Sequence, residues 1–428
     1  MSQAFNLMMC NKGVHDSHMH RSPNHTHFAD IIKQYTLSAE WTKEILGTET
    51  GGTSGISSNN KEAYTSFNLH DTGDALSNLW IQTTIPALTA VGDADHMHLV
   101  NAAGFGCVNK IELKMGGLHY DVQDSMLMYI IYELTTPQGE KNVEETGDYR
   151  DEAILIAAAK TNQVFQIPVR MWCFGHHMSD SLKICAMGNN TINFNVYWDL
   201  LENWVVNRGQ DVWDTALVTA VKQQMGQASS KLLGRYHFME EAERHHYTNT
   251  PILSLFTTWQ DNLRDLAPGT TTDVPRLSFN YPTTAFVFAC RNSTWNDGNY
   301  YPLKVGTKDK FWLGNPLGTE TLVDLDLKIN NNSLLQGYGQ NSLHLRTHAA
   351  GYGFGAKPTQ PIYVLPLQKD VHLKENKASV NCSRFDNITA YYKVKYATST
   401  STNSVYVYAI SRNLMTVDTG YVNKPLAA

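Results

Sequence analysis

The sequence predicts an all-β protein made of two consecutive sandwiches or jelly rolls, with few helices and an N-terminal arm. Three observations predict it. Short apolar runs alternate with polar residues at period two in both halves of the chain. The connections between these runs carry Gly, Pro and Asn. Hydrophobic residues make up 42% of the 428 residues, enough to fill two cores, while charged residues make up only 17%. Alternation of this kind marks half-buried strands, because successive side chains leave opposite faces of a sheet. Many short strands with few helices point to sandwich or jelly-roll architecture.

Residues 1–60 read as an arm and loop. They are polar, rich in His, Ser, Asn and Gly, and contain the stretch Gly47–Asn60. Segments of this composition are ordered mainly by a partner. Residues 61–205 read as the first sandwich. Leu79, Ile81, Thr83 and Ile85 share one face of a strand. Ile111, Leu113 and Met115 oppose Glu112 and Lys114. Ile192, Phe194, Val196 and Trp198 alternate with Asn193, Asn195 and Tyr197. Asp121–Thr135 breaks the pattern and reads as a short helix or buried element. The segment Val206–Gln210 divides the chain, so that residues 206–428 form the second sandwich. Its strand-like runs are Val212–Val221, Ala285–Cys290, Leu322–Ile329, Ile362–Leu367, Ile388–Tyr396 and Val405–Ile410. In Leu322–Ile329, Val323, Leu325, Leu327 and Ile329 alternate with Asp324, Asp326 and Lys328.

The formal net charge is −6, which argues against a protein that binds nucleic acid by neutralising phosphates. The low charge content suits a chain that hides surface against other proteins. No apolar run approaches the roughly 20 residues that span a bilayer; Ala153–Ala159 and Ala285–Cys290 are only strand-length. The segment MSQAFNLMMCNKG lacks a basic start followed by an apolar core, so no signal peptide is expected. The six cysteines, Cys10, Cys107, Cys173, Cys185, Cys290 and Cys382, form no CxxC pair and read as buried free thiols. Sequons at Asn24, Asn189, Asn292, Asn331, Asn381 and Asn387 are attributed to chance in a chain rich in Asn, Ser and Thr.

The order of segments resembles the double jelly-roll major capsid proteins of nucleocytoplasmic large DNA viruses. The resemblance runs from about Tyr64 to Tyr421. Leu69–Pro86 is similar to the family's Gly-Asp segment and first clear strand. His98–Asp121 resembles a strand ending in a Gly-Gly turn, and Asp124–Thr135 the short helical stretch after it. Phe165–Trp198 is similar to the strands that close the first roll, and Tyr236–Tyr247 to a strand bearing a Glu-Arg pair. Asn381–Asn387 (NCSRFDN) resembles a Ser-Arg-x-Asp-Asn block, and Val405–Val422 the final strand and the tail after it. The chain departs from the family at Asn376, Lys377 and Ala378, where Pro-Ser-Gly is usual, and at Ile362–Leu367, which lacks the Tyr-Ser-Phe run.

The resemblance implies two eight-stranded jelly rolls and a structural, non-enzymatic role. Three copies would form a pseudo-hexagonal capsomer that tiles an icosahedral shell. Implied partners are further copies of the chain, minor capsid and penton proteins, and host-cell glycans. Direct nucleic-acid contact is not implied, and an inner membrane would be met only through minor proteins. The implied location is the virion capsid, assembled in the host cytoplasm. The alternative is a glycan-binding or host-attachment jelly roll.

Candidate chemistry is sparse. His15, His18, His20, His25 and His27, with Asp16 and Asp30, have ligand-like spacing but no fixed second shell. Glu240, Glu241, Glu243, Arg244, His245 and His246 are the densest titratable set; Glu243 and His246 have Glu-x-x-His spacing but lack a partner pair. His176–Met178 reads as a strand-end loop. Gly351–Ala356 fits G-x-G-x-x-A, but the prolines that follow oppose the helix a dinucleotide site needs. Ser383, Arg384, Asp386 and Asn387 read as structural. No catalytic, cofactor or metal residue is assigned.

Overall fold

The computed structural model of the chain describes residues 25–26, 38–50, 63–70, 73–88, 97–149, 151–174, 181–207, 215–292, 321–330, 332–334, 360–368, 379–385, 387–395 and 402–425, with isolated positions 56, 310, 311, 313, 358 and 397.

Four main sheets build the molecule. In the first roll, a five-stranded sheet runs Gly47–Thr50, Tyr64–Asn68, Ile192–Trp198, Val108–Met115 and Leu118–Asp124. It faces a four-stranded sheet of Ser38–Ile45, Ser229–Met239, Ala75–Ile85 and Gln163–Pro168. In the second roll, the central path is His25–Thr26, Ile252–Leu266, Asn403–Asp418, Pro282–Asn292 and Tyr363–Pro366. The opposing sheet holds Thr272–Asp273, Ile388–Val394, Leu322–Ile329 and Asn332–Ser333. Among the described residues, pairing is antiparallel except at His25–Thr26, which runs parallel beside Ser254 and Leu255. The architecture is the expected pair of jelly rolls.

The period-two runs form strands for the predicted reason. Leu79, Ile81, Thr83 and Ile85 are all buried, with half-buried residues between them. Gly116 and Gly117 turn Val108–Met115 into Leu118–Asp124, and both have positive φ, 57° and 83°. Two such residues are what a tight hairpin turn of matching twist requires. In Leu322–Ile329 the register slips between Leu322 and Asp324. Leu322 therefore takes the buried place expected for Val323, which is half-buried.

Several expectations are corrected. Of the run Val212–Val221, residues 215–221 are helical and not a strand: Thr215–Met225 is a helix that buries Val221 and Met225, four residues apart on one face. Ala153–Ala159 lies in the helix Glu152–Ala159. The Glu-Arg pair sits on the helix Glu241–Asn249 and not on a strand, because the strand ends at Met239. The expected arm contributes Ser38–Ile45 and Gly47–Thr50 as edge strands, held by distant partners that local composition does not reveal. The division at residue 206 does not separate the sheets. Ser229–Met239 pairs with Ala75–Ile85 and completes the first roll, whereas Ile252–Leu266 pairs with Asn403–Asp418 in the second.

The described cysteines are free thiols. Burial pushes Cys107 and Cys290 up to about 12, which suppresses the reactive thiolate. Cys10 lies outside the described residues. Among those residues, no helix is long and apolar enough to cross a membrane.

Candidate functional site: the seam between the two rolls

The central sheet of the second roll is buried on both faces. Val405, Val407 and Ala409, with Phe286, Phe288 and Cys290, line the second roll's own core. Their neighbours Tyr406, Tyr408 and Ile410, with Ala285, Val287 and Ala289, join the core of the first roll. Strict alternation disappears here for this reason: both sets of side chains must be apolar or internally bonded.

Among the described residues, three polar anchors cross the seam. The first is Lys310. Its Nζ lies 2.6 Å from Asp199 Oδ2 and donates to the Gly106 carbonyl at 3.0 Å. Asp199 is positioned by its own donors, Leu200 N at 2.8 Å and Asn203 Nδ2 at 2.7 Å, both to Oδ1. Burial holds the Lys310 ammonium below the usual lysine range, and the Asp199 carboxylate opposes that shift. Beside it, Phe311 stacks on Tyr129 with ring centroids 4.8 Å apart.

The second anchor is Asp124. It caps the helix Ser125–Thr135 by accepting from Leu127 N at 2.9 Å, a role short acidic side chains fill well. Tyr408 Oη donates to the same carboxylate, 3.3 Å from each oxygen. Burial raises the pKa of Asp124, and burial beside Asp124 raises that of Tyr408 well above its ordinary value.

The third anchor is the final hairpin. Asn189 Nδ2 donates to the Thr419 carbonyl at 2.9 Å, and Asn190 Nδ2 to the Gly420 carbonyl at 3.2 Å. Gly420 has φ 84°, and an added Cβ would stand 2.8 Å from Asn189 Nδ2. Further along, Lys424 lies in the field of Asp121. Asp121 is buried; Gln123 Nε2 donates to its Oδ2 at 3.1 Å, while Oδ1 has no hydrogen-bond partner among the described residues. Tyr120, the extra residue where the register slips between Leu113 and Lys114, packs its ring 5.8 Å from Phe256. A bulge that re-aims a side chain is a common device at such places.

The structure does not gather the predicted chemistry. Glu241, Glu243, Arg244, His245 and His246 lie along one helix; Arg244 Nε approaches Asp74 Oδ1 at 3.3 Å, and the two histidines meet Asn249 and Thr250 of their own segment. No group of metal-ligating side chains occurs among the described residues. His15, His18, His20 and His27, with Asp16 and Asp30, lie outside those residues, as do His176–Met178, Gly351–Ala356 and Asp386. Of the NCSRFDN block, Asn381 Oδ1 accepts from Ser383 N at 3.2 Å, and Ser383 Oγ accepts from Tyr281 N at 2.9 Å. Sequence reasoning missed Asp124, Asp199, Lys310 and Tyr408, whose signal was limited to charged or hydroxyl residues beside strongly apolar runs.

Comparison with known proteins agrees with this geometry. Residues 26–238, about half of the chain, match the family described as major capsid protein N-terminus. The fold is similar to the capsid of PBCV-1 virus, with a TM-score of 0.72 and 14% identity over 94% of this chain and 100% of that one. It is also similar to the Faustovirus major capsid protein, with a TM-score of 0.67 and 11% identity over 91% of this chain and 92% of that one. The Sputnik virophage structure matches with a TM-score of 0.54 and 14% identity over 94% of this chain and 91% of that one. A sequence search of curated proteins finds no match. The N-terminal family match ends at residue 238, one residue before the last strand of the first roll, Ser229–Met239, itself ends, and with the second roll fused behind it the chain belongs to the double jelly-roll major capsid proteins.

Proposed function

We propose that the chain is the shell-building protein of a large double-stranded DNA virus. It works by assembly and not by catalysis. The observation that carries this reading is the doubly buried central sheet, which fuses two similar bodies into one block. Three such blocks around a threefold axis present six similar bodies, a pseudo-hexagon that tiles an icosahedral face through head-to-tail contacts. Obligate contacts of this kind bury upwards of about 2,000 Å². The partners are further copies of the chain first, then minor capsid and penton proteins that seal the shell, with host glycans on its outside. Assembly takes place in the host cytoplasm and meets an inner membrane only through the minor proteins.

Light scattering across the size-exclusion peak tests the reading, with negative-stain images of the same fraction. A mass three times 48.0 kDa and a hexagonal outline are expected. A stable, round monomer at all concentrations would overturn it.

A further inference from the structure

Lys310 and Asp199 are 111 positions apart in the chain, yet Lys310 Nζ stands 2.6 Å from Asp199 Oδ2. Both residues are more than nine-tenths buried, at 8% and 4% exposure. An enclosed ion pair is held against the cost of taking both charges from water. The proton between the two groups can cancel those charges. Moved along the hydrogen bond from Nζ to Oδ2, it leaves a neutral amine against a neutral carboxyl. Burial and the field of Arg291 both press the ammonium that way.

The rest of the carboxyl is arranged for attack by an amine. Oδ2 meets Nζ, while Oδ1 is held by two other donors, Leu200 N at 2.8 Å and Asn203 Nδ2 at 2.7 Å. Donors already in place on one oxygen stabilise the negative charge that gathers there when a nucleophile adds to the carbon. The Gly106 carbonyl, 3.0 Å from Nζ, fixes the amine. Contact in a fixed geometry replaces a chance collision and raises the effective concentration by orders of magnitude. We propose that Lys310 and Asp199 condense to an isopeptide bond, Nζ to Cγ, which ties the two rolls covalently.

The step balances within the pair. After the proton transfer, the Nζ lone pair adds to Cγ and negative charge gathers on Oδ1, under Leu200 N and Asn203 Nδ2. A second proton passes from Nζ to Oδ2, the Cγ–Oδ2 bond breaks, and Oδ2 leaves as water. The amide keeps one N–H for the Gly106 carbonyl. No oxidant or reductant is consumed. The enclosed site keeps out the water that would hydrolyse the product. The ion pair is the state of the newly folded chain, and the amide forms from it with time. It forms once in each molecule and needs no second copy, so it stands or falls separately from the capsid reading.

The test is the mass of the full chain under denaturing conditions, freshly purified and after days of storage at neutral pH. A species one water lighter than the unmodified chain is expected, its share growing several-fold with storage. Protease digestion should yield two peptides joined through Lys310 and Asp199, whereas a succinimide would keep the loss within one peptide. Lys310→Arg keeps the cation and should abolish the joined peptides. Asp199→Asn changes the leaving group, so its joined species should be one ammonia lighter than its own unmodified chain. A stored wild-type chain of full mass with no joined peptides overturns the proposal, whether or not the variants fold. Water loss confined to single peptides overturns it equally.

Discussion

Lys310 of the second roll and Asp199 of the first form a buried ion pair, Nζ to Oδ2, at 2.6 Å. Their separation in sequence makes the pair a tie between domains. Two charges taken from water cost several kcal/mol each, and the pair holds because each satisfies the other and the Gly106 carbonyl takes a further proton. Removing one partner is therefore worse than removing both. Lys310→Met leaves Asp199 buried and uncompensated, and should cost roughly 3–5 kcal/mol. Adding Asp199→Asn should recover part of that loss. Urea midpoints of the wild type, both single variants and the double variant check this; equal midpoints for Lys310→Met and wild type would remove the pair from the seam's energetics.

Asp121 sets a pH dependence of opposite sense to an ordinary surface carboxylate. Burial pushes its carboxyl up from 3.8 to about 7, against the hydrogen bond from Gln123 and the field of Lys424. The folded state thus binds the proton more tightly than the unfolded chain. Its favourable contribution is complete below about pH 4 and is lost as pH rises to about 7, after which it is constant. Asp121→Asn keeps an acceptor for Gln123 and removes the titration. The variant should be more stable than wild type at pH 8, by up to about 4 kcal/mol, and near wild type at pH 4. Thermal melts at the two pH values decide it. A variant less stable at pH 8 would show that the ionised carboxylate has a structural role.

How far the sequence reads depends on where a residue's partner lies. Leu79, Ile81 and Ile85 were legible because one face of their strand meets a core and the other does not. By alternation alone, the strand Asn403–Asp418 was legible only as Val405–Ile410. Both of its faces are buried against different rolls, so period two vanishes outside the middle. Ser38–Ile45 was absorbed into the arm because its order comes from Ser229–Met239, far along the chain. The same long-range pairing hid the true end of the first roll. For the seam, nothing local distinguishes Asp199 from a solvated carboxylate; its meaning appears only when Lys310 reaches it. The His and Glu clusters had the opposite fault, since a ligand-like spacing carried no convergence in space.

Two sequons are committed to folding contacts. Asn292 is buried and its Nδ2 donates to Asn403 Oδ1 at 2.7 Å. Asn381 is buried too and accepts from Ser383 N. A glycan on either amide would need space inside a packed core. Peptide mass analysis of protein produced in a glycosylating host should find both unmodified. Asn292→Asp should lower stability, because a carboxylate cannot donate to Asn403 and leaves a charge buried. A glycan found at either position would mean that the strand carrying it opens after synthesis.

Ser383 gives the NCSRFDN block its physical use. Tyr281 has φ 66°, a left-handed conformation that costs a bulky residue on the order of 1 kcal/mol or more. Its backbone N–H donates to Ser383 Oγ at 2.9 Å, and its carbonyl accepts from Cys382 N at 3.0 Å. The Ser383 side chain thus fixes the strained residue from the neighbouring segment, just before the strand Pro282–Asn292 enters the doubly buried sheet. Ser383→Ala removes the acceptor and leaves a part-buried N–H without its partner. The expected loss is about 1–3 kcal/mol. Tyr281→Gly should do less harm than a buried aromatic truncation ordinarily does, since glycine relieves the backbone strain as it removes the ring. Hydrogen exchange at the amide of Tyr281 separates this account from general destabilisation. In Ser383→Ala that amide should exchange faster, while those of Phe286 and Phe288 in the sheet centre stay protected. Uniform acceleration across all three would show that Ser383 supports the whole roll and not the turn at Tyr281.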